Sequence, residues 1–202
     1  MFFKIAYPLV YPIFHLLFPR KVVGKEHLNQ LPNGYVVCAN HISFLDPVYI
    51  IYTIGRKQRI CYMAKQELFQ NKLLAWFLRH VYAFPVTRGA GAGSGLKTAE
   101  SILEQGHCLG IFPEGTRSKD GKIGKAKAGA AMLVTAFDTY VLPITLTCKN
   151  QKMRPFRKMT VVIGEPMKLP QKEEGQSQRE HLRICTNAIM APIEEGLKQY
   201  GK

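Results

Sequence analysis

Six short apolar runs, each four to seven residues long, recur along the chain with helix-length segments between them. The runs are Tyr35–Ala39, Ile60–Ala64, Val81–Val86, Cys108–Phe112, Val141–Thr147 and Thr160–Ile163. Helical patterning fills the intervals at Pro47–Ile54, Asn71–His80, Gly95–Glu104 and Ala126–Phe137, and Arg179–Leu197 follows the polar stretch Gln171–Gln178. Asp46 stands at the N-cap of the first of these helices, and Leu73, Leu74, Phe77 and Leu78 mark one side of the second. Strands apolar on successive residues are buried on both faces, which requires helices above and below them. The expectation is an α/β domain: a mainly parallel β-sheet covered by helices. With 202 residues, 47% of them hydrophobic, the chain fills one core and is too apolar for wholesale disorder.

In covered parallel sheets the chemistry gathers beyond the carboxyl ends of the strands. The first polar cluster there is Asn40-His41-Ile42-Ser43-Phe44-Leu45-Asp46. Histidine is the natural base at neutral pH, and a carboxylate that fixes its tautomer is the usual companion. No Ser or Cys is aimed at His41, so such a pair activates a hydroxyl on the substrate. Taken alone, the same residues also fit a helix cap beside a surface histidine.

The second cluster is Phe112-Pro113-Glu114-Gly115-Thr116-Arg117-Ser118. Glycine lets backbone amides approach a ligand, hydroxyls donate, and Arg117 grips a phosphate through two parallel hydrogen bonds. Glu114 is expected to hold the Arg117 guanidinium, although a charged surface turn has the same composition. Lys65 and Arg88 also follow strands, and three cations on one rim suit a phosphate-bearing substrate. Val141-Leu142-Pro143-Ile144 offers an apolar wall.

Other features narrow the field. Gly89, Gly91, Gly93 and Gly95 precede a helix but lack the GxGxxG spacing and its distal acid, so they read as a loop. Five cysteines without a CxxC pair give neither a disulfide framework nor a zinc site, and suit a reducing compartment. Net charge is +14, with eight basic residues against Asp138 between Gly121 and Thr160, which favours anionic partners. Helix-turn-helix and aromatic RNA-binding signatures are absent, so no nucleic acid is expected; a non-catalytic binder of anionic lipid stays open. At the N-terminus, Phe3, Tyr7, Tyr11, Phe14 and Phe18 recur at helical spacing between Lys4 and Arg20-Lys21. The run is too short to span a bilayer but suits its interface, as an aromatic membrane-associating segment over residues 1–22 ahead of a domain over 23–202. Docking of that stripe on the protein's own core is the alternative.

The ordered set Asn40–Asp46, Phe84-Pro85-Val86-Thr87-Arg88, Phe112–Ser118 and Val141–Ile144 resembles the bacterial lysophosphatidic acid acyltransferase family, the 1-acylglycerol-3-phosphate O-acyltransferases. The similarity runs from about Met1 to Gly164, with one departure: Ala126 precedes Lys127-Ala128-Gly129 where the family often has an aromatic. The resemblance implies transfer of a fatty acyl group from acyl-CoA or acyl carrier protein to the sn-2 hydroxyl of lysophosphatidate. Phosphatidic acid for phospholipid synthesis is the product, and glycerol-3-phosphate or another lysolipid is the alternative acceptor. His41 would be the base and Asp46 its orienting group. Lys65, Arg88 and Arg117 would bind the phosphate, supported by Asn40, Ser43, Glu114, Gly115 and Thr116. The resemblance implies no metal or cofactor, and a peripheral seat on the anionic cytoplasmic face of the cell membrane.

Overall fold

The computed structural model describes residues 12–54, 59–86, 93–118 and 120–201. In chain order they form α1 (12–17), β1 (Arg20–Val23), β2 (Val36–Ala39), α2 (Asp46–Ile54), β3 (Ile60–Lys65), α3 (Lys72–His80) and β4 (Ala83–Val86). There follow α4 (Gly93–Glu104), β5 (Cys108–Ile111), α5 (Gly129–Ala136), β6 (Val141–Cys148), β7 (Met159–Ile163) and α6 (Gln178–Tyr200). The seven strands lie in the order β1-β7-β6-β2-β5-β3-β4. All neighbours are parallel except β6 and β7, which pair antiparallel from Ile144 opposite Ile163 to Cys148 opposite Met159.

Alternation along each strand builds two cores. Val37 and Ala39 face the layer that holds Phe14 of α1, Tyr49 of α2 and Leu78 of α3. Val36 and Cys38 face Ala99 of α4, Ala130 of α5 and Ile189 of α6. Every residue of β2 and β6 is buried, as strands covered on both sides must be. Pro85 sits on the edge strand β4, where a missing N–H costs least. Pro143 occurs inside β6 at the point where β7 has ended: Gly164 donates to its carbonyl at 2.9 Å, and any Cβ on Gly164 would meet the ring at 2.8 Å.

Three local expectations change. β1 was not anticipated; half of Arg20-Lys21-Val22-Val23 is charged, and the strand runs across the expected boundary between residues 22 and 23. Phe14 does not face outward but is 8% exposed, its ring stacked on Tyr52 at 4.9 Å and edge-on to Tyr49 at 5.3 Å. Phe18 packs against the same core, and Ile13 and Leu16 are large apolar residues of α1 that face outward, 61% and 71% exposed. Phe3, Tyr7 and Tyr11 lie outside the described residues. In α3 the buried side is set by Ala75 and Leu78, which leaves Leu73 78% exposed rather than packed with its neighbours. Asn71 caps that helix, its side chain accepting from the Leu73 and Leu74 amides at 3.0 Å each.

Candidate active site

Where β2 ends, a side chain takes over its pairing. Asn40 is buried, and its amide donates to the Leu146 carbonyl at 2.9 Å and accepts from the Leu146 N–H at 2.7 Å. A side-chain amide thus closes the β6 ladder while the main chain turns away. Three residues in the turn converge on Asp46. Its Oδ2 accepts from the Ile42 and Ser43 amides at 2.7 Å each and from His41 Nδ1 at 2.8 Å. Asp46 is therefore not the N-cap expected; it stands in the first turn of α2 and reaches back to hold the preceding turn. Its side chain is fully buried, and burial pushes the carboxyl above the usual carboxylate range while the three donors pull against that shift. With Nδ1 committed to Asp46, Nε2 is the ring nitrogen left to meet a ligand. The Ser43 hydroxyl accepts from the Leu45 amide, so its local bond lies within the turn rather than with His41.

Rings fix the imidazole from the side. Phe112 stacks on His41 at 4.0 Å between centroids, and Tyr62 lies parallel to Phe112 at 5.9 Å. Gly110 stands opposite Tyr62 in the sheet, and a Cβ there would fall 2.2 Å from the tyrosine ring.

Glu114 joins the loops. Its Oε1 accepts from the His41 amide at 2.9 Å and its Oε2 from the Gly124 amide at 2.7 Å. Ser118 N–H donates to the His41 carbonyl at 2.7 Å, and Lys127 N–H to the Pro113 carbonyl at 2.8 Å. The carboxylate is spent on backbone, and no ion pair links it to Arg117 among the described residues; the guanidinium partner expected for Glu114 is replaced by two amides.

A cavity of about 760 Å³ opens on these groups. His41, Lys65, Gly115, Thr116, Arg117 and Lys127 are among its polar lining, and Leu74, Leu78, Val81, Ala83 and Leu133 among its apolar lining. The structure thus unites His41, Lys65, Gly115, Thr116 and Arg117 on one cavity, with Asn40, Ser43, Asp46 and Glu114 behind it as supports. Arg88 lies outside the described residues. Lys127, expected as part of the basic run and of the Lys127-Ala128-Gly129 segment without a phosphate-binding role, joins the cationic lining. Its ammonium lies 3.2 Å from where a side chain on Gly115 would begin, and Gly115 has φ 71°, so a glycine fits there on both counts. The signal in the sequence was the Lys-x-Gly that opens α5. A smaller cavity of about 330 Å³ beside α5 and His181 has no His–carboxylate pair on it among the described residues. Among those residues, too, no three His, Cys, Asp or Glu side chains are placed to hold a metal ion.

A histidine held by a buried carboxylate thus stands at the carboxyl edge of a covered sheet, on a cavity lined by both cationic and apolar side chains. A family model described as Acyltransferase matches residues 19–147. The chain is 36% identical to the 1-acyl-sn-glycerol-3-phosphate acyltransferase of Bacillus subtilis over 87% of its own length and 86% of that protein's. It is 32% identical to the enzyme of the same name from Streptococcus pneumoniae over 61% of its length, spanning 48% of that longer protein. Its fold matches the crystal structure of the 1-acyl-sn-glycerophosphate acyltransferase PlsC from Thermotoga maritima with TM-score 0.61 and 25% identity, covering 96% of this chain and 76% of that one. The chain belongs to the 1-acyl-sn-glycerol-3-phosphate acyltransferase family, and it is an enzyme.

Proposed function

We propose that the enzyme transfers a fatty acyl group from a thioester, acyl-CoA or acyl carrier protein, to the sn-2 hydroxyl of 1-acyl-sn-glycerol-3-phosphate, giving phosphatidic acid. The observation that carries this is the 2.8 Å His41–Asp46 hydrogen bond beside a cavity lined by both cationic and apolar side chains. His41 Nε2 takes the proton of the acceptor hydroxyl as its oxygen attacks the thioester carbon. The tetrahedral oxyanion is met by N–H groups of the Glu114–Thr116 turn; that of Gly115 already donates to Phe112, which leaves its neighbours for the task. Collapse expels the thiolate, which takes the proton back from His41. A placed base contributes about 10²- to 10⁴-fold, and one oxyanion donor about 10²- to 10³-fold. Asp46 orients the imidazole and stabilises its cation. Lys65, Arg117 and Lys127 hold the phosphate, joined by Arg88, and the acyl chain lies against the apolar lining. No step calls for a metal or a cofactor. The segment ahead of β1 and the basic surface seat the enzyme on the cytoplasmic face of the cell membrane. Among the described residues no helix is long and apolar enough to cross a membrane, and a peripheral seat does not require one.

The test is transfer of labelled palmitate from its thioester to lysophosphatidate, with glycerol-3-phosphate as second acceptor and His41→Ala beside the wild type. Phosphatidate formed by the wild type and lost in the variant supports the assignment. Transfer to glycerol-3-phosphate alone replaces the acceptor, and no transfer to either refutes the reading.

A further inference from the structure

Buried polar side-chain atoms in folded proteins nearly always have a hydrogen-bond partner, so each exception calls for an explanation. Three exceptions share one neighbourhood here: Asp46 Oδ1 and the hydroxyls of Tyr49 and Tyr62, none of which has a partner among the described residues. Asp46 and Tyr49 are fully buried, and Tyr62 is 4% exposed. Oδ2 of Asp46 takes three donors, so the carboxylate is saturated on one side and bare on the other.

The fold brings both hydroxyls towards the bare side. Tyr49 stands three residues after Asp46 on α2, the spacing that puts two side chains on one face of a helix. That face packs on the sheet, in the core that holds Val37 and Ala39 of β2. Tyr62 arrives from the sheet itself. Its ring crosses Gly110 of β5, and the next strand beyond β5 is β2. The tyrosine therefore leans towards the strand whose end carries His41, within the core that also holds Tyr49. Burial first, and the Asp46 carboxylate after it, raise the Tyr62 hydroxyl well above the ordinary phenol range. For Tyr49 burial is again the largest cause, followed by Cys148 and Asp46, with Arg20 opposing. Both hydroxyls thus lie within electrostatic reach of one carboxylate without bonding it directly. Thr53 Oγ1 is also without a partner, but its seven-residue separation along α2 sets it about 10 Å further on.

We propose that one buried water joins Asp46 Oδ1 to the hydroxyls of Tyr49 and Tyr62, which makes both tyrosines positioning residues for the His41–Asp46 pair. Three polar partners are the usual complement of a buried water. The water accepts from the hydroxyls and donates to Oδ1, and a donor to a buried carboxylate favours its charged form. That is the form His41 needs beside it to accept a proton. Tyr62 lines the cavity too, yet its oxygen is buried, so its ring and not its hydroxyl meets a ligand. The catalytic consequence rests on the proposed reading of His41 as the base; the water does not.

The experiment makes Tyr49→Phe and Tyr62→Phe in the full-length enzyme, each keeping its ring, with Thr53→Val as control. Melting temperature and the pH dependence of kcat/KM for lysophosphatidate are recorded. Around the pair stand Lys65, Glu114, Arg117 and Lys127 from the loops, Cys148 from β6, and Arg20 of β1 beyond Tyr49. Tyr35 and Cys108, beyond Tyr62, bond to each other. None of these is altered, so a change in the profile belongs to the hydroxyls. With Oδ1 less well held, the His41–Asp46 pair takes up its proton at higher pH. The acid limb should move up by about half to one pH unit in each tyrosine variant, the lower part of the range for a hydrogen bond to a charged group. KM should stay within about twofold of the wild type. Each variant should also melt about 2–4 °C lower, as loss of one hydrogen bond predicts in a domain of this size. Thr53→Val should leave the profile in place. A melting temperature at or above that of the wild type, the result of deleting a hydroxyl that bonds nothing, would overturn the proposal. So would a rate lowered equally at every pH, or an acid limb that moves as far in Thr53→Val. A wild type that transfers no acyl group would sink the assigned reaction instead; the melting temperatures, and titration of the His41 ring by NMR, would then decide the water on their own.

Discussion

Replacing Glu114 by glutamine tests how the site is held together. Glu114 is 5% exposed, and each carboxylate oxygen accepts one backbone N–H, from His41 at 2.9 Å and from Gly124 at 2.7 Å. Glutamine keeps one acceptor and turns an NH₂ toward the other amide, so one charge-assisted bond becomes two opposed donors. Such a loss costs about 1.5–3 kcal/mol. In a domain of this size each kcal/mol moves the melting temperature by about 2–4 °C. Glu114→Gln should therefore melt about 3–12 °C lower by calorimetry. Its turnover should also fall, because one of the released donors is the amide of the base itself, and small misplacements of catalytic groups cost up to about 10²-fold. Arg117→Ala is the control: Arg117 is exposed, so its melting temperature should stay within about 2 °C of the wild type. An unshifted melting temperature and full turnover in Glu114→Gln would refute the bridging role. Strong coupling between the two substitutions in a double-mutant cycle would restore the carboxylate–guanidinium pairing that the structure replaces.

Asp46→Asn should lower turnover by about 10³- to 10⁴-fold, the loss seen when a buried carboxylate no longer fixes its histidine's tautomer. Adding His41→Ala should cost little more, because the two act as one unit; steady-state rates check both points. Lys127→Ala should raise KM for lysophosphatidate by about ten- to a hundredfold, the range for a hydrogen bond to a charged group. A monoacylglycerol acceptor without phosphate should show no such change. Burial pushes the Cys38 thiol up to about 12 and raises those of Cys61, Cys108, Cys148 and Cys185. Native enzyme at pH 8 should resist maleimide until denaturant is added. The unfolded chain loses its thiol protons first, so stability should fall as pH rises from the ordinary thiol value towards 12. Cys38 alone contributes a slope of about 1.4 kcal/mol per pH unit there, measurable by denaturant titration.

The strands of the central sheet were legible because strands buried on both sides leave unbroken apolar runs, and each expected run lies within two residues of the strand it became. β1 was not legible, because an edge strand written as two cations and two valines carries no such run. The direction in which Phe14 points was equally hidden, since a helical stripe says that one face is apolar and not what covers it. At the candidate site, His41, Lys65 and Arg117 were singled out because each lies at or beyond the carboxyl end of a strand, and Asp46 for its spacing from His41. The partners of Glu114 and Asn40 were out of reach: the amides and carbonyl they bind lie up to 106 residues away. Only the sheet order brings such backbone groups together. Lys127 was missed for a related reason, being one lysine among many until the loop before α5 folds it over Gly115.

The column of rings from His41 through Phe112 to Tyr62, with Gly110 making room for the last, joins two properties that a cavity and a base would otherwise vary separately. His41, Phe112, Tyr62 and Gly110 all line the cavity, and the same stack flanks the imidazole. Widening that space at Tyr62 or Phe112 to admit a bulkier chain tilts the base; adding even a methyl at Gly110 drives the tyrosine into its neighbour. On the proposed reading of the cavity, selection for a different fatty acid would be steered away from this wall and towards Leu74, Leu78, Val81 and Ala83, which stand outside the stack.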